Sequence, residues 1–71
     1  MKQINMKQYS LVGLDGNAFS IMNYVKKAMQ ETKFSRDEIN TYLQEAQSKD
    51  YNHLLAVSCA VIDHCNEKRS A

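Results

Sequence analysis

Residues 13–17, with the sequence Gly-Leu-Asp-Gly-Asn, form the segment of this chain whose residue types could bind a ligand. Two glycines just before a helix can let free backbone amides approach a phosphate or a carboxylate. A phosphate-binding loop carries more glycine and a Lys-Ser/Thr pair at fixed spacing, and this segment has neither. The simpler interpretation is a strand-to-helix turn in which Asp15 or Asn17 caps the helix. A ligand or partner contact made by Gly13, Asp15, Gly16 and Asn17 is the alternative interpretation.

Two histidines and two cysteines are the side chains that could bind a metal ion or act as nucleophiles. His53 and His64, eleven residues apart, would lie about 16 Å apart on one helix, too far to share a metal ion. Cys59 and Cys65 would be separated by about 9 Å along that helix, beyond the reach of a disulfide. No third group is evident that would orient a Cys–His pair for catalysis. We therefore expect no metal, no cofactor and no catalytic residue, and we expect both cysteines to be buried thiols.

Four tyrosines are distributed along the chain, at positions 9, 24, 42 and 51. A tyrosine at the edge of a core usually buries its ring and leaves its hydroxyl in water, and we expect this arrangement for each of the four. Tyrosine is also enriched in protein interfaces, so a shared interaction surface is the alternative.

The composition describes one small domain. The chain has 71 residues, a formal charge of +1 and 44% hydrophobic residues, so we expect a single domain over residues 1–71 with an ordered core at about residues 9–66. The near-neutral charge argues against a dedicated nucleic-acid binder, and the apolar runs are too short to span a membrane. The first residues lack the apolar stretch of a signal peptide, so a cytoplasmic location is expected.

The hydrophobic periodicity predicts helices at about residues 17–32, 36–48 and 51–66. Before them, residues 9–14 read as a short extended arm that lies against the helices or pairs with another copy. The predicted fold class is therefore all-α: a small three-helix domain with a short extended N-terminal arm. The polar residues 67–71 are expected to fray.

The start of the second helix has clearer local signals than the start of either other predicted helix. Ser35 and Glu38 have the spacing of a capping box, and Phe34 and Ile39 flank it as a hydrophobic staple. The connections before and after this helix contain no glycine. We therefore expect a residue such as Lys49 to adopt a left-handed conformation at the second connection.

The third predicted helix is apolar around most of its circumference. Such a helix is either central to a core or half-buried in a partner. A chain of this length without a disulfide is also marginally stable as a monomer. Together these features predict a homo-oligomer, with a dimer favoured, whose interface draws on Tyr51, Leu54, Val57 and Val61.

Several stretches together resemble a group of short uncharacterised proteins of phages, prophages and mobile elements. The resemblance covers about residues 11–55, and its most specific parts are the Asp-Gly-Asn-Ala-Phe stretch at 15–19 and the Asp-Tyr-Asn-His-Leu-Leu stretch at 50–55. It brings no catalytic residue with it. It implies a small accessory protein that acts on a host or phage component.

Three functional hypotheses follow. The leading one is a small non-enzymatic interaction protein, encoded by a phage or mobile element and acting on a host factor, for example against a defence system. The alternative is a small-ligand protein that binds or sequesters a nucleotide or another anion at residues 13–17. A DNA-binding regulator is less favoured, because the would-be recognition helix is apolar where base-reading side chains should stand.

Overall fold

Three α-helices form the domain: α1 (Ala18–Glu31), α2 (Arg36–Ala46) and α3 (Tyr51–Ser70). The computed structural model describes residues 9–11 and 13–70, and it gives residues 69 and 70 by their backbone alone. Within this part of the chain there is no strand. The predicted all-α fold with three helices and a short N-terminal arm is confirmed.

The single-domain prediction also included residues 1–8, 12 and 71, which lie outside the described part of the chain. In the described part, all three helices pack against one another.

The third helix is longer than predicted. It continues to residue 70, whereas the sequence pattern placed its end near residue 66 and predicted a frayed tail. The ammonium nitrogen of Lys68 lies 3.9 Å from the centre of the Phe34 ring, in the connection between α1 and α2. This cation–π contact holds the last turns of α3 against the rest of the bundle.

A capping box begins α2, as the sequence predicts. The Ser35 hydroxyl accepts a hydrogen bond from the Glu38 amide at 3.1 Å, and the Glu38 carboxylate accepts one from the Ser35 amide at 2.8 Å. These two bonds satisfy backbone donors that a helix start otherwise leaves without partners. The capping box thereby fixes the Glu38 side chain. The hydrogen bond from the Ser35 amide is the main reason that the pKa of the Glu38 carboxyl group lies below the ordinary 4.5.

The left-handed residue lies in the first connection, not in the second. Lys33 has φ of 70°, and the Lys49 prediction is wrong, because no other non-glycine residue of the described chain has positive φ. The Phe34 amide donates to the Met29 carbonyl and the Lys33 amide to the Gln30 carbonyl, which is the pattern of a Schellman motif. The second connection ends α2 differently, since the Ser48 hydroxyl donates to the Glu45 carbonyl at 2.7 Å.

The core is built from one face of each helix, including only one face of α3. Buried hydrophobic residues are Ile21, Met22, Val25, Ala28, Met29, Ile39, Tyr42, Ala46, Leu54, Ile62 and Cys65. On α3, the residues at positions 56, 59 and 60 are exposed, and those at positions 55, 57 and 61 are half-buried. Two short helices therefore cover one face of α3 and leave apolar side chains at the surface.

Hydrogen bonds that involve the tyrosine hydroxyls join the elements to one another, and the expectation that these hydroxyls face only water is wrong. Tyr42 bonds to Ser58 across α2 and α3, and Tyr51 on α3 donates to the Gly16 carbonyl before α1. The other two, Tyr9 and Tyr24, connect the arm to α1. A small domain without a disulfide thus gains one polar cross-link from each tyrosine.

Candidate interaction surfaces

The turn before α1 is built to cap that helix. The side-chain oxygen of Asn17 accepts hydrogen bonds from the Phe19 amide at 2.8 Å and the Ser20 amide at 3.4 Å. Asn17 is therefore the N-cap, and the alternative cap, Asp15, is exposed. Two of the amides that could have held an anion are already satisfied by the chain itself. Gly13, with φ of 85° and open space around it, supplies the left-handed residue that the turn needs.

Tyr51 connects this turn to the start of α3. Its hydroxyl donates to the Gly16 carbonyl at a distance of 2.5 Å. Gly16, a predicted ligand contact, and Tyr51, a predicted interface residue, are therefore brought together by the structure. The bond fixes the start of α1 relative to the connection between α2 and α3.

Phe19 is the most exposed large hydrophobic residue of the described chain, with 71% of its surface accessible, and Tyr51 follows with 44%. Both rings border a cleft of about 350 Å³ between the start of α1 and the α2–α3 connection, with Met22, Leu54 and Lys49 in its lining. We call this the aromatic cleft. Phe19 is not among the residues that the sequence predicts to contact a ligand or a partner. Its position could have indicated exposure, because Phe19 lies outside the face of α1 that carries the buried residues.

The four residues of the predicted interface do not share one surface. Leu54 is only 4% exposed and belongs to the core of the single chain, so most of its side chain is unavailable to a partner. Tyr51 borders the aromatic cleft. Val57 and Val61 are half-buried and line a different groove, between α2 and α3. Because α1 and α2 cover only one face of α3, the apolar residues of α3 are divided among the core and two surfaces.

The groove between α2 and α3 has an apolar floor and acidic sides. Its floor includes Val57, Val61, Phe34, Met29 and Tyr42, and the charged residues that line it are Asp37, Glu38 and Glu45. We call this the acidic groove. Burial raises the pKa of Tyr42, whereas its hydrogen bond with Ser58 opposes that rise, so the phenol stays protonated at neutral pH.

The N-terminal arm is held by side chains of α1 and α3. The Asn66 side chain accepts from the Tyr9 amide at 2.8 Å and donates to the Tyr9 carbonyl at 3.0 Å. These are the two backbone bonds that a neighbouring strand would otherwise supply. The Tyr9 hydroxyl donates to Glu31, and the Ser10 amide donates to the Tyr24 hydroxyl. Of the two predicted placements, the arm takes the one against the helices.

The histidines lie far from each other in different surroundings. The His53 ring nitrogen is 2.8 Å from a Glu45 carboxylate oxygen and so joins α3 to α2, while His64 is exposed near Glu67. Within residues 9–11 and 13–70, no three His, Cys, Asp or Glu side chains converge in a way that could hold a metal ion.

The two cysteines are free, and they differ in exposure. Cys65 is fully buried, and burial raises the pKa of its thiol, against smaller opposing effects of a hydrogen bond with Thr32 and the charge of Lys68. Cys59 is exposed, so the prediction that both thiols are buried is wrong for this residue. It lies on the face of α3 that no other helix covers.

Comparison of the chain with protein-family models, with curated proteins and with solved structures finds no match in any of the three. None of the helices in the described part of the chain combines the length and apolar character needed to cross a lipid bilayer.

Proposed function

We propose that this protein is a small non-enzymatic interaction protein that binds another protein through Phe19 and Tyr51. The observation that carries the proposal is the 71% exposure of the Phe19 ring beside the cleft that Tyr51 also borders. Aromatic side chains at the surface are costly to leave in water and are enriched among the residues that dominate binding energy. A partner that covers both rings removes this apolar surface from water.

The surroundings of the two rings favour binding without rearrangement. Phe19 follows directly on the capped start of α1, and the Tyr51 hydroxyl is held by the Gly16 carbonyl. The backbone that carries Phe19 and the hydroxyl of Tyr51 are therefore held in place, so less conformational freedom is lost when a partner binds. The aromatic cleft is thus a preformed surface, in which a partner side chain can insert between α1 and the α2–α3 connection.

The resemblance to short proteins of phages and mobile elements supplies the biological part of the proposal. Its two most specific stretches, residues 15–19 and 50–55, contain Phe19 and Tyr51 respectively. We therefore propose that the protein is encoded by a phage or mobile element and acts on a host factor in the cytoplasm, as a homo-oligomer.

A second candidate function is the binding of a small anionic ligand, such as a nucleotide, at the same end of the molecule. The aromatic cleft has a volume of about 350 Å³, which falls within the range of roughly 300–1,000 Å³ typical of ligand pockets. Lys49 in its lining offers a positive charge, whereas the neighbouring Asp50 carries a negative charge that opposes an anion. The capped amides of Phe19 and Ser20 make this the second choice, because a ligand would have to displace the Asn17 side chain to reach them.

The test is affinity capture from a bacterial lysate with the full chain as bait, followed by mass spectrometry of bound proteins and bound small molecules. We expect a protein that is retained by the native chain and lost with Phe19→Ser. Asn23→Ser is the matched control, because Asn23 is an exposed residue of the same helix outside the cleft. Thermal melting of both variants should match the native chain, which separates lost binding from lost folding.

Two results would contradict the proposal. One is retention of the same proteins by the native chain and by Phe19→Ser. The other is a nucleotide or similar anion as the specific bound species, which would support the second candidate function instead.

A further inference from the structure

Charged residues of opposite sign are separated onto the two sides of α2. On one side, the charged residues that line the acidic groove are Asp37, Glu38 and Glu45. On the other side, the groove between α1 and α2 is lined by Lys26 and Arg36, with no acidic residue. We call this the basic groove. The whole chain carries a formal charge of only +1, so the two grooves reflect an internal division of charge.

The spacing along α2 explains this division. Asp37, Thr41 and Glu45 recur every four residues and therefore form one stripe on the helix, which faces the acidic groove. Arg36 and Asn40 form a second stripe, displaced by about 100°, and line the basic groove. Both stripes are exposed to solvent.

Several of these charges have no ion-pair partner among the described residues. In the part that the structure describes, Asp37, Lys26 and Arg36 form no ion pair. Glu45 is paired with His53, and Glu38 is held in the capping box near Lys68. The acidic and basic grooves thus each keep an unpaired charge at the surface.

We propose that two copies of this chain associate through these surfaces, with the acidic groove of one copy facing the basic groove of the other. The inference rests on the self-association included in the proposed function and names its surface. Because both grooves border α2, a two-fold symmetric pair can form the contact twice. The half-buried Val57 and Val61 supply apolar contact beside the charges, together with the part of Phe34 that Lys68 leaves open between the two grooves.

Sedimentation velocity on the full chain at micromolar concentration tests the association. The native chain should sediment above its 8.2 kDa monomer mass, and added salt should weaken the association, because exposed charges are screened. Asp37→Lys and Arg36→Glu should each raise the dissociation constant about tenfold or more, because each reversal places like charges opposite one another at both contacts. An equimolar mixture of the two variants should regain the native association, because each reversed groove then meets a reversed groove of the other chain.

Thr41→Lys serves as the second variant for the acidic groove, since it lies in the same stripe but outside the first turn of α2. It should weaken association as Asp37→Lys does, with native melting behaviour. Asn52→Lys, an exposed change to the same residue type on α3 outside both linings, is the matched control and should leave the association unchanged.

Three results would overturn the inference: a native chain that sediments as a monomer, a dimer that both charge reversals leave intact, or a mixture that fails to recover association. This test can fail independently of the test of partner binding at the aromatic cleft. Phe19→Ser should leave sedimentation unchanged, and Asp37→Lys should still capture the partner that binds at Phe19 and Tyr51.

Discussion

The hydroxyl oxygens of Tyr42 and Ser58 lie 2.6 Å apart in the interior of the bundle and join α2 to α3. Tyr42 is 4% exposed and Ser58 is fully buried. In such a place each hydroxyl depends on the other, because water does not reach it. The bond therefore fixes how α2 lies on α3, and with it the shape of the acidic groove, whose floor includes the Tyr42 ring.

Tyr42→Phe should lower the free energy of unfolding by about 1–3 kcal/mol, because it leaves the buried Ser58 hydroxyl without a partner. The double variant Tyr42→Phe with Ser58→Ala should recover much of that loss, since it removes both polar groups together. Urea denaturation of the two single variants and the double variant measures the coupling. Additive losses in this cycle would show that the two hydroxyls do not depend on each other.

The helices were predictable because their signals are local. The capping box at Ser35 and the buried rows of α1 and α2 depend on residues a few positions apart. The partner of Tyr42 was not predictable, because Ser58 is sixteen residues away in the sequence. Nothing in the sequence of the apolar third helix indicates that this serine is buried. The true end of α3 was not predictable for the same reason, because its last turns are held by the contact of Lys68 with Phe34, which lies in the connection between α1 and α2.

Lys33→Gly should raise the free energy of unfolding by about 0.5–1 kcal/mol. Lys33 occupies the left-handed position of the Schellman motif, where a side chain is strained and glycine is not. The gain is partly offset, because glycine makes the unfolded chain more flexible. Lys49→Gly is the matched control at the other connection, where φ is not positive, and should be neutral or destabilising. Thermal or urea melts that rank the two glycine variants the other way would contradict the assignment.

Asn17→Ala should destabilise the domain by about 0.5–2 kcal/mol, because it removes the acceptor for the first amides of α1. Asp15→Ala should leave the melting temperature nearly unchanged, because Asp15 is exposed and does not cap the helix. Equal losses from both variants would show that the turn relies on Asp15 as well. The same two variants also help to test ligand binding at this turn, because Asp15→Ala removes a candidate ligand contact but leaves the helix cap in place.

The candidate surfaces were predictable only in part. A sequence pattern can mark α3 as apolar all round, but it cannot say which apolar residues the other helices cover. The pattern therefore predicts an interface role for Leu54, which packs in the core, and predicts none for Phe19, which is exposed. The charge stripes of α2 are visible in the sequence, yet the grooves they line exist only once α1 and α3 are in place.

Acidification should reduce the contribution of Glu38 to stability. Hydrogen bonds from Ser35 lower the pKa of the folded Glu38 below the ordinary 4.5, so the unfolded chain takes up this proton first as the pH falls. The contribution is fully present above the ordinary pKa and is lost as the pH falls through the folded pKa. Glu38→Gln keeps an acceptor for the Ser35 amide but has no charge to lose. The difference in melting temperature between the native chain and Glu38→Gln should therefore shrink as the pH falls from about 7 to about 3. A difference that stays constant over this range would contradict the prediction.

The two cysteines should react with an alkylating reagent at very different rates. Cys59 is exposed, whereas Cys65 is fully buried, and burial raises the pKa of its thiol, so little thiolate forms there. Iodoacetamide followed by mass spectrometry of the intact native chain should therefore show rapid addition of one group, which peptide mapping assigns to Cys59. Cys65 should react only as fast as the bundle opens. In denaturant both thiols should react alike, and Cys59→Ser should abolish the fast addition. Rapid double modification of the native chain would show that α3 does not pack its Cys65 face as the structure describes.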